Sequence, residues 1–263
     1  MDKIAICLPT YNEAKNIENI TKQVDNSLSR LNNYKSVIVN CDNTSPDETN
    51  KIFNLVKTKH KKVSILTSKI GKGQNIINFI NYCEINKIDY AFTIDADLKS
   101  FEANWIPKML NELIDDEDFV CPLYKRSRYE GNTTNHFAVP VIYCLYSKII
   151  RQPIGGDYAF NSRFINTFNY YEKTASIKKY GIDIFMLMCA LQNNLKISQI
   201  ELGHKIHASS VEKVEKIFLD VANAVKECIT ILNYGANDKY DVYDEFFLIQ
   251  LLMLMNGLIE SLE

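Results

Sequence analysis

Four short, apolar, β-branched runs recur through the first hundred residues, at 3–8, 35–40, 62–67 and 90–94. Each is followed by a stretch with helical periodicity. Strands that alternate with helices require crossover connections, and these build a mostly parallel sheet flanked by helices, an α/β fold. The first helical stretch carries Ile17, Ile20, Val24, Leu28 and Leu31, a stripe of period 3.6. The second opens on Ser45-Pro46-Asp47-Glu48. This predicts a helix with Ser45 as N-cap, Pro46 in the first turn and Glu48 closing a capping box.

Beyond residue 120 the texture changes. Residues 121–161 combine clustered Arg and Lys with Gly131, Pro153 and Gly155-Gly156, and read as loops and short elements over one end of the sheet. A further strand is expected at 195–202, and helices at 211–232 and 244–262. The apolar part of the last, 246–259, carries Gln250, Asn256 and Gly257. It suits a packing or homodimer-forming helix better than a membrane-surface one. No run reaches the roughly 20 apolar residues that span a bilayer, and no cleavable leader pattern opens the chain.

Composition narrows the function classes. With 30 basic and 32 acidic residues, nothing calls for nucleic acid, so an anionic ligand must be held by local groups. Seven scattered cysteines without a CxxC pair argue against a disulfide framework or a zinc site. They fit a reducing, cytoplasmic setting, with Cys7 and Cys189 as small core residues.

In a parallel sheet, ligands collect beyond the carboxyl ends of the strands. There the sequence places Pro9-Thr10-Tyr11-Asn12-Glu13, then Asp42-Asn43-Thr44-Ser45-Pro46-Asp47, then Gly71-Lys72-Gly73, then Asp95-Ala96-Asp97. In extended chain, Asp95 and Asp97 point the same way. Two carboxylates with phosphate oxygens suit Mg²⁺ or Mn²⁺; a turn with one Asp capping the next helix is the alternative. Lys72, between glycines, can approach a phosphate or simply sit in a solvated turn. Neither GxxxxGK[ST] nor GxGxxG occurs. Lys125-Arg126-Ser127-Arg128 is either a solvated loop or, near a pyrophosphate, a means of neutralising charge on a leaving group. Asp183 precedes an apolar helix that it could cap, and His207 follows the expected fifth strand.

Taken in order, these segments resemble the nucleotide-sugar-binding half of GT-A glycosyltransferases of the family 2 type. Five further motifs are similar to retaining glucosyl-3-phosphoglycerate synthases and mannosylglycerate synthases. They are Tyr124-Lys-Arg126, Gly131-Asn-Thr-Thr134, Gln152-Pro-Ile-Gly-Gly-Asp-Tyr-Ala159, Tyr180-Gly-Ile-Asp183 and Leu202-Gly-His-Lys-Ile-His207. The resemblance implies a GT-A (Rossmann-like) catalytic domain over 1–210, with a nucleotide-sugar half at 1–100, an acceptor half at 101–210, and C-terminal helices at 211–263.

It further implies a UDP- or GDP-sugar donor, a divalent cation and a small anionic acceptor such as glycerate or 3-phosphoglycerate. Pro9, Tyr11, Asn12, Glu13, Asp42 and Ser45 would line base and ribose, with Asp95 and Ala96 beside the donor and Lys72 supporting the nucleotide. Asp97 and His207, with Asp95, would hold the metal. Gly155, Gly156 and Asp183 would border the transferred sugar, and Lys72 and Arg126 would stabilise the leaving group. Gly131, Asn132 and Thr134 would meet the acceptor. Asn132 stands where the phosphoglycerate enzymes carry an Arg, which weakens bidentate recognition of an anion. The rivals are an inverting family 2 enzyme acting on a polysaccharide or polyprenyl phosphate with Asp157 as base, a nucleotidyltransferase, and a non-catalytic binding protein.

Overall fold

The computed structural model describes residues 1–68, 70–126, 130–206 and 214–232. One seven-stranded sheet runs through them in the order β3-β2-β1-β4-β6-β5-β7. β1 (Lys3–Thr10), β2 (Lys35–Asp42), β3 (Lys61–Leu66) and β4 (Tyr90–Thr93) are mutually parallel, as the alternation of strand and helix predicts. Strand β6 (Ala159–Asn161) is antiparallel to both β4 and β5 (Phe119–Lys125). β7 (Ile197–His204) then pairs parallel with β5.

The period-two alternation of the strands divides the core into two layers. Ala5, Cys7, Val37 and Val39 face one way, toward α3 (Lys72–Asn86), α6 (Ser162–Tyr170), α7 (Ile182–Gln192) and α8 (Val214–Ile231). Ile4, Ile6, Leu8, Ile38 and Phe92 face the other, toward α1 (Ile17–Leu28) and α4 (Trp105–Ile114). The stripe on α1 is buried at Ile17, Ile20, Val24 and Leu28, whereas Leu31 lies past the helix end and only packs against that layer. Cys7 and Cys189 are core residues, as expected, and Cys144 on α5 (Val139–Tyr146) is exposed.

Three expectations are corrected. The helix after β2, α2, spans Thr49–Leu55 and Ser45 does not cap it. The Ser45 hydroxyl instead donates to Asp42 Oδ1 and accepts from the Asn12 backbone N–H. A side chain committed to tying two loops cannot also satisfy a helix N-terminus. The N-cap is Glu48, in a left-handed conformation and without a side-chain cap bond, and Asp47 before it accepts from Thr49 N–H.

Next, residues 121–161 are more regular than expected. They hold most of β5, a π-helical turn at Thr134–Ala138, α5 and β6. Pro122 masked the strand, since proline cannot donate to a ladder. β5 tolerates it because β6 pairs only with Phe119 and Val120, leaving one neighbour at Pro122.

Third, Lys72 is no solvated turn but the first residue of α3. The expected helix at 211–232 is present as α8, and the one at 244–262 lies outside the described residues. Among the described residues no helix is long and apolar enough to cross a membrane.

Candidate active site

The site forms where the carboxyl ends of β1, β2 and β4 meet the loop before β6 and the end of β7. At β1 and β2 the polar residues are deeply buried and tied to each other. Thr10 Oγ1 donates to Asn40 Oδ1 at 2.7 Å, and Asn75 Nδ2 donates to the Thr10 carbonyl at 3.1 Å. Asp42 Oδ2, Asn40 Nδ2 and Asn75 Oδ1 are buried without a protein partner among the described residues. Buried polar atoms are seldom left this way unless a ligand or water serves them.

The loop after β1 is stapled to the loop after β2. Asn12, Glu13 and Ala14 donate their N–H groups to Ser45, Thr49 and Asp47 side chains, at 2.9, 2.9 and 3.0 Å. Asn12 takes a positive φ of 62° to make the turn. Pro9, Tyr11, Asn12, Glu13, Asp42 and Ser45 are thereby gathered along one edge.

The centre of the site is a chain of alternating charges. Lys72 Nζ lies 2.9 Å from Asp95 Oδ1 and 3.3 Å from Asp183 Oδ2. Lys205 Nζ lies 2.9 Å from Asp95 Oδ2 and 2.6 Å from Asp157 Oδ2, and donates to the Gly155 carbonyl at 2.9 Å. Asp157 also accepts from the Asp95 N–H and the Tyr124 hydroxyl, both at 2.7 Å. Burial alone would lower the pKa of Lys72, but Asp183 and Asp95 outweigh it and raise it. Burial would likewise lift Asp95, yet Lys205 and Lys72 hold its carboxyl far below the usual range. Asp183, at the end of the chain, is pushed upward by burial, with Lys72 pulling against it.

Local geometry explains the glycines. A Cβ on Gly73 would lie 1.9 Å from the Ile177 carbonyl oxygen, so this glycine lets the segment before α7 lie directly on the start of α3. Gly73 and Gln74 donate their N–H groups to the carbonyls of Lys179 and Lys178. The GKG motif therefore serves backbone contact, and Lys72 is aimed by that contact at two carboxylates. Gly156 has φ +87°, and a Cβ there would sit 2.6 Å from Asp95 Oδ2 and 2.9 Å from Lys72 Nζ. Asp183 does not cap α7, whose N-cap is Gly181. It lies in the first turn and turns its carboxylate to Lys72.

Gly131 and Thr134 line a separate pocket of about 220 Å³, along with Arg126, Arg151, Gln152 and Tyr124. Arg126 Nε donates to Gln152 Oε1 at 3.1 Å, and its guanidinium lies 5.8 Å from the Tyr124 ring. Arg126, expected beside the leaving group, is thus grouped with the acceptor residues. Asn132 is exposed and does not line this pocket.

Asp97 is half-buried, two residues past Asp95. Its hard carboxylate oxygen fits Mg²⁺ or Mn²⁺ completed by phosphate, whereas both oxygens of Asp95 already meet ammonium groups. Among the described residues no three His, Cys, Asp or Glu side chains converge on one point, and His207 lies outside the described residues. No sequence signal singled out Arg151, and Lys205 and Gln152 stood inside the 202–207 and 152–159 motifs without a role of their own. In 202–207 the histidines carry the metal-ligand signal, and Lys205 stands between them.

Residues 5–185 match the family described as Glycosyl transferase family 2. The chain belongs to that family. Among curated relatives, this family 2 chain is 26% identical over 168 residues to a mannosylglycerate synthase of Selaginella moellendorffii, covering 61% of this chain and 39% of that protein. It is 25% identical over 227 residues to a dolichol-phosphate mannosyltransferase of Pyrococcus furiosus, covering 81% of this chain and 59% of that protein. It therefore spans less than two thirds of either relative.

Its fold is that of glucosyl-3-phosphoglycerate synthase from Mycobacterium tuberculosis, solved with Mn²⁺, UDP and phosphoglyceric acid. The TM-score is 0.69 at 19% identity, over 90% of this chain and 80% of that one. The same enzyme with Mg²⁺ and UDP gives 0.67 at 20% identity, over 90% and 81%. These likenesses establish the GT-A type fold expected from the sequence.

Proposed function

We propose that this domain is a divalent-metal-dependent glycosyltransferase that moves a hexose from a UDP- or GDP-sugar to a small anionic acceptor, with retention of anomeric configuration. The observation that carries the reading is the half-buried cluster of Lys72, Asp95 and Asp183, set at the carboxyl edge of the sheet against the Gly155–Gly156 turn. The solved neighbours hold Mn²⁺ or Mg²⁺ with UDP, and one relative is a mannosylglycerate synthase. These support the donor, cation and acceptor classes.

In this reading Asp42, Ser45 and the 9–13 loop receive the nucleoside, and the unpartnered Asp42 Oδ2 is a ready acceptor for a base N–H. Asp97 holds the cation, with His207 as the proposed imidazole ligand. A bound divalent cation would offset the negative charge that develops on the departing phosphate.

The bond from the anomeric carbon to the β-phosphate oxygen breaks, a bond to the acceptor hydroxyl oxygen forms, and that hydroxyl's proton leaves with the nucleoside diphosphate. Lys72 adds fixed positive charge in a site shielded from water. Asp183, held by Lys72, orients the sugar. The acceptor's anionic group enters the pocket of Arg126, Arg151, Gly131 and Thr134.

The polyprenyl-phosphate alternative draws on the dolichol-phosphate relative, but its base would be Asp157. That side chain is fully buried and engaged by Lys205, Tyr124 and the Asp95 amide, an unsuitable state for taking a proton from an acceptor.

The test is incubation of UDP-glucose or GDP-mannose with glycerate or 3-phosphoglycerate, in Mn²⁺ and in EDTA. Proton NMR then reads the product anomer. Metal-dependent release of nucleoside diphosphate with an α-linked product supports the reading. A β-linked product, or turnover unaffected by chelator, overturns it.

A further inference from the structure

The Gly155–Gly156 turn leaves no room for a side chain. A Cβ on Gly155 would lie 2.5 Å from Pro122 Cγ, and one on Gly156 would strike Asp95 and Lys72. Close approach to the charged cluster therefore demands two glycines in succession, a pair with wide backbone freedom and nothing of its own to anchor it. The turn has to be held from outside.

Its peptide groups show what holds it. Gly155 N–H donates to Tyr158 Oη at 2.9 Å as well as to the Gln152 carbonyl at 3.1 Å, and Tyr158 Oη donates on to the Pro153 carbonyl at 3.0 Å. The Gly156 carbonyl accepts from Thr93 Oγ1 at 3.0 Å, and the same hydroxyl oxygen accepts from Tyr158 N–H at 3.0 Å. Thr93 ends β4 and Tyr158 directly precedes β6, so one hydroxyl comes from each flank of the turn. Both side chains are fully buried and out of a substrate's reach. Whatever they contribute passes through the glycines. None of these bonds involves the 9–13 loop, Asp42 or Ser45.

We infer that the Thr93 and Tyr158 hydroxyls are positioning groups that fix the glycine turn against Lys72 and Asp95, and so set the place of the donor's sugar independently of its nucleotide. This rests on the reading above, in which the turn borders the transferred sugar, and adds the residues that hold it there.

The experiment compares the full chain with its Tyr158→Phe, Thr93→Val and Thr93→Ser variants. Release of nucleoside diphosphate from UDP-glucose or GDP-mannose, with glycerate or 3-phosphoglycerate and Mn²⁺, gives kcat. Calorimetry with UDP or GDP and Mn²⁺ gives nucleotide affinity, and thermal melts run alongside. Tyr158→Phe and Thr93→Val are expected to lower kcat about tenfold or more, since small misplacements of reacting groups are costly. Nucleotide affinity should stay within about twofold of the parent's, the mark of an interaction that serves the chemical step. Thr93→Ser keeps the hydroxyl and restores kcat.

A role in stability alone would lower the melting temperature and leave kcat at the parent's value wherever the variant is folded. That result overturns the inference, and so does a loss of nucleotide affinity as large as the loss of kcat. Should Thr93→Val not fold, Tyr158→Phe decides, because its ring keeps its packing on Phe119 at 5.1 Å between centroids and Gly155 N–H keeps the Gln152 carbonyl. If the parent releases no nucleoside diphosphate from either donor, the transferase reading falls and this inference with it. If the parent turns over and the variants match it, only this inference falls.

Discussion

The two halves of the sheet handle their polar groups in opposite ways. In the parallel half, β3-β2-β1-β4, the residues at the strand ends bond chiefly to neighbours in the same half. Thr10 meets Asn40, and the 12–14 loop meets Ser45, Asp47 and Thr49. In the half built by β6, β5 and β7, the charged residues reach back across the site. Lys205 after β7 and Asp157 before β6 both bind at Asp95. The first half is a preformed cradle. The second completes it by delivering charge from distant points in the chain, so the site exists only once the whole sheet has closed.

The sharpest way to break this comparison is at the metal. Asp97→Ala is expected to reduce transfer about a thousandfold or more, since a cation supplies several kcal/mol of charge stabilisation. Its melting temperature should stay within a few degrees of the parent's. Turnover insensitive to both this change and a chelator would sink the metal-assisted scheme.

Lys72→Met tests the bridge between the halves. Loss of one preorganised electrostatic group lowers kcat by about 10²–10³-fold. Stability also falls, because Asp95 and Asp183 lose a shared partner. Steady-state kinetics beside urea denaturation separate the two effects.

Gly156→Ala perturbs only the second half. Its positive φ and the 2.6 Å approach to Asp95 Oδ2 should cost about 1–3 kcal/mol of strain and displace the Asp95–Lys72 contact. Transfer should drop more than nucleotide binding, which the proposed function assigns to the first half. Arg151→Ala is expected to raise the acceptor KM about tenfold, corresponding to a lost charge-assisted contact of about 1.4 kcal/mol, with the donor KM unchanged.

The smallest effect probes the first half away from chemistry. Asp25, on α1, accepts from the Lys59 and His60 N–H groups and from His60 Nδ1. Burial pushes its pKa up, but those partners outweigh it and hold it below the ordinary value. A carboxyl depressed by folding adds stability above its unfolded pKa of about 3.9 and loses it as pH falls through the folded value. Asp25→Asn should therefore cost about 1 kcal/mol near neutral pH and a vanishing amount in strong acid. Transfer should be unchanged, and thermal melts across pH read the difference.

The positions of β1 to β4 and β7 and the clustering of polar motifs at one edge follow from the sequence, because period-two and period-3.6 patterns are local. A side chain's partner is not local. Ser45 read as a helix cap and became a tie to Asp42 and Asn12, because the hydroxyl met a carboxylate before it met a helix end. Pro122 hid a strand whose neighbour on one side had already ended. Lys72, read as either a phosphate contact or a solvated turn, owes its burial to the 177–179 backbone lying on Gly73. Lys205 stood inside the 202–207 motif with no role of its own. The order of strands put it beside carboxylates 48 and 110 residues away, and in a buried site opposite charges find one another only after the sheet has brought them within reach.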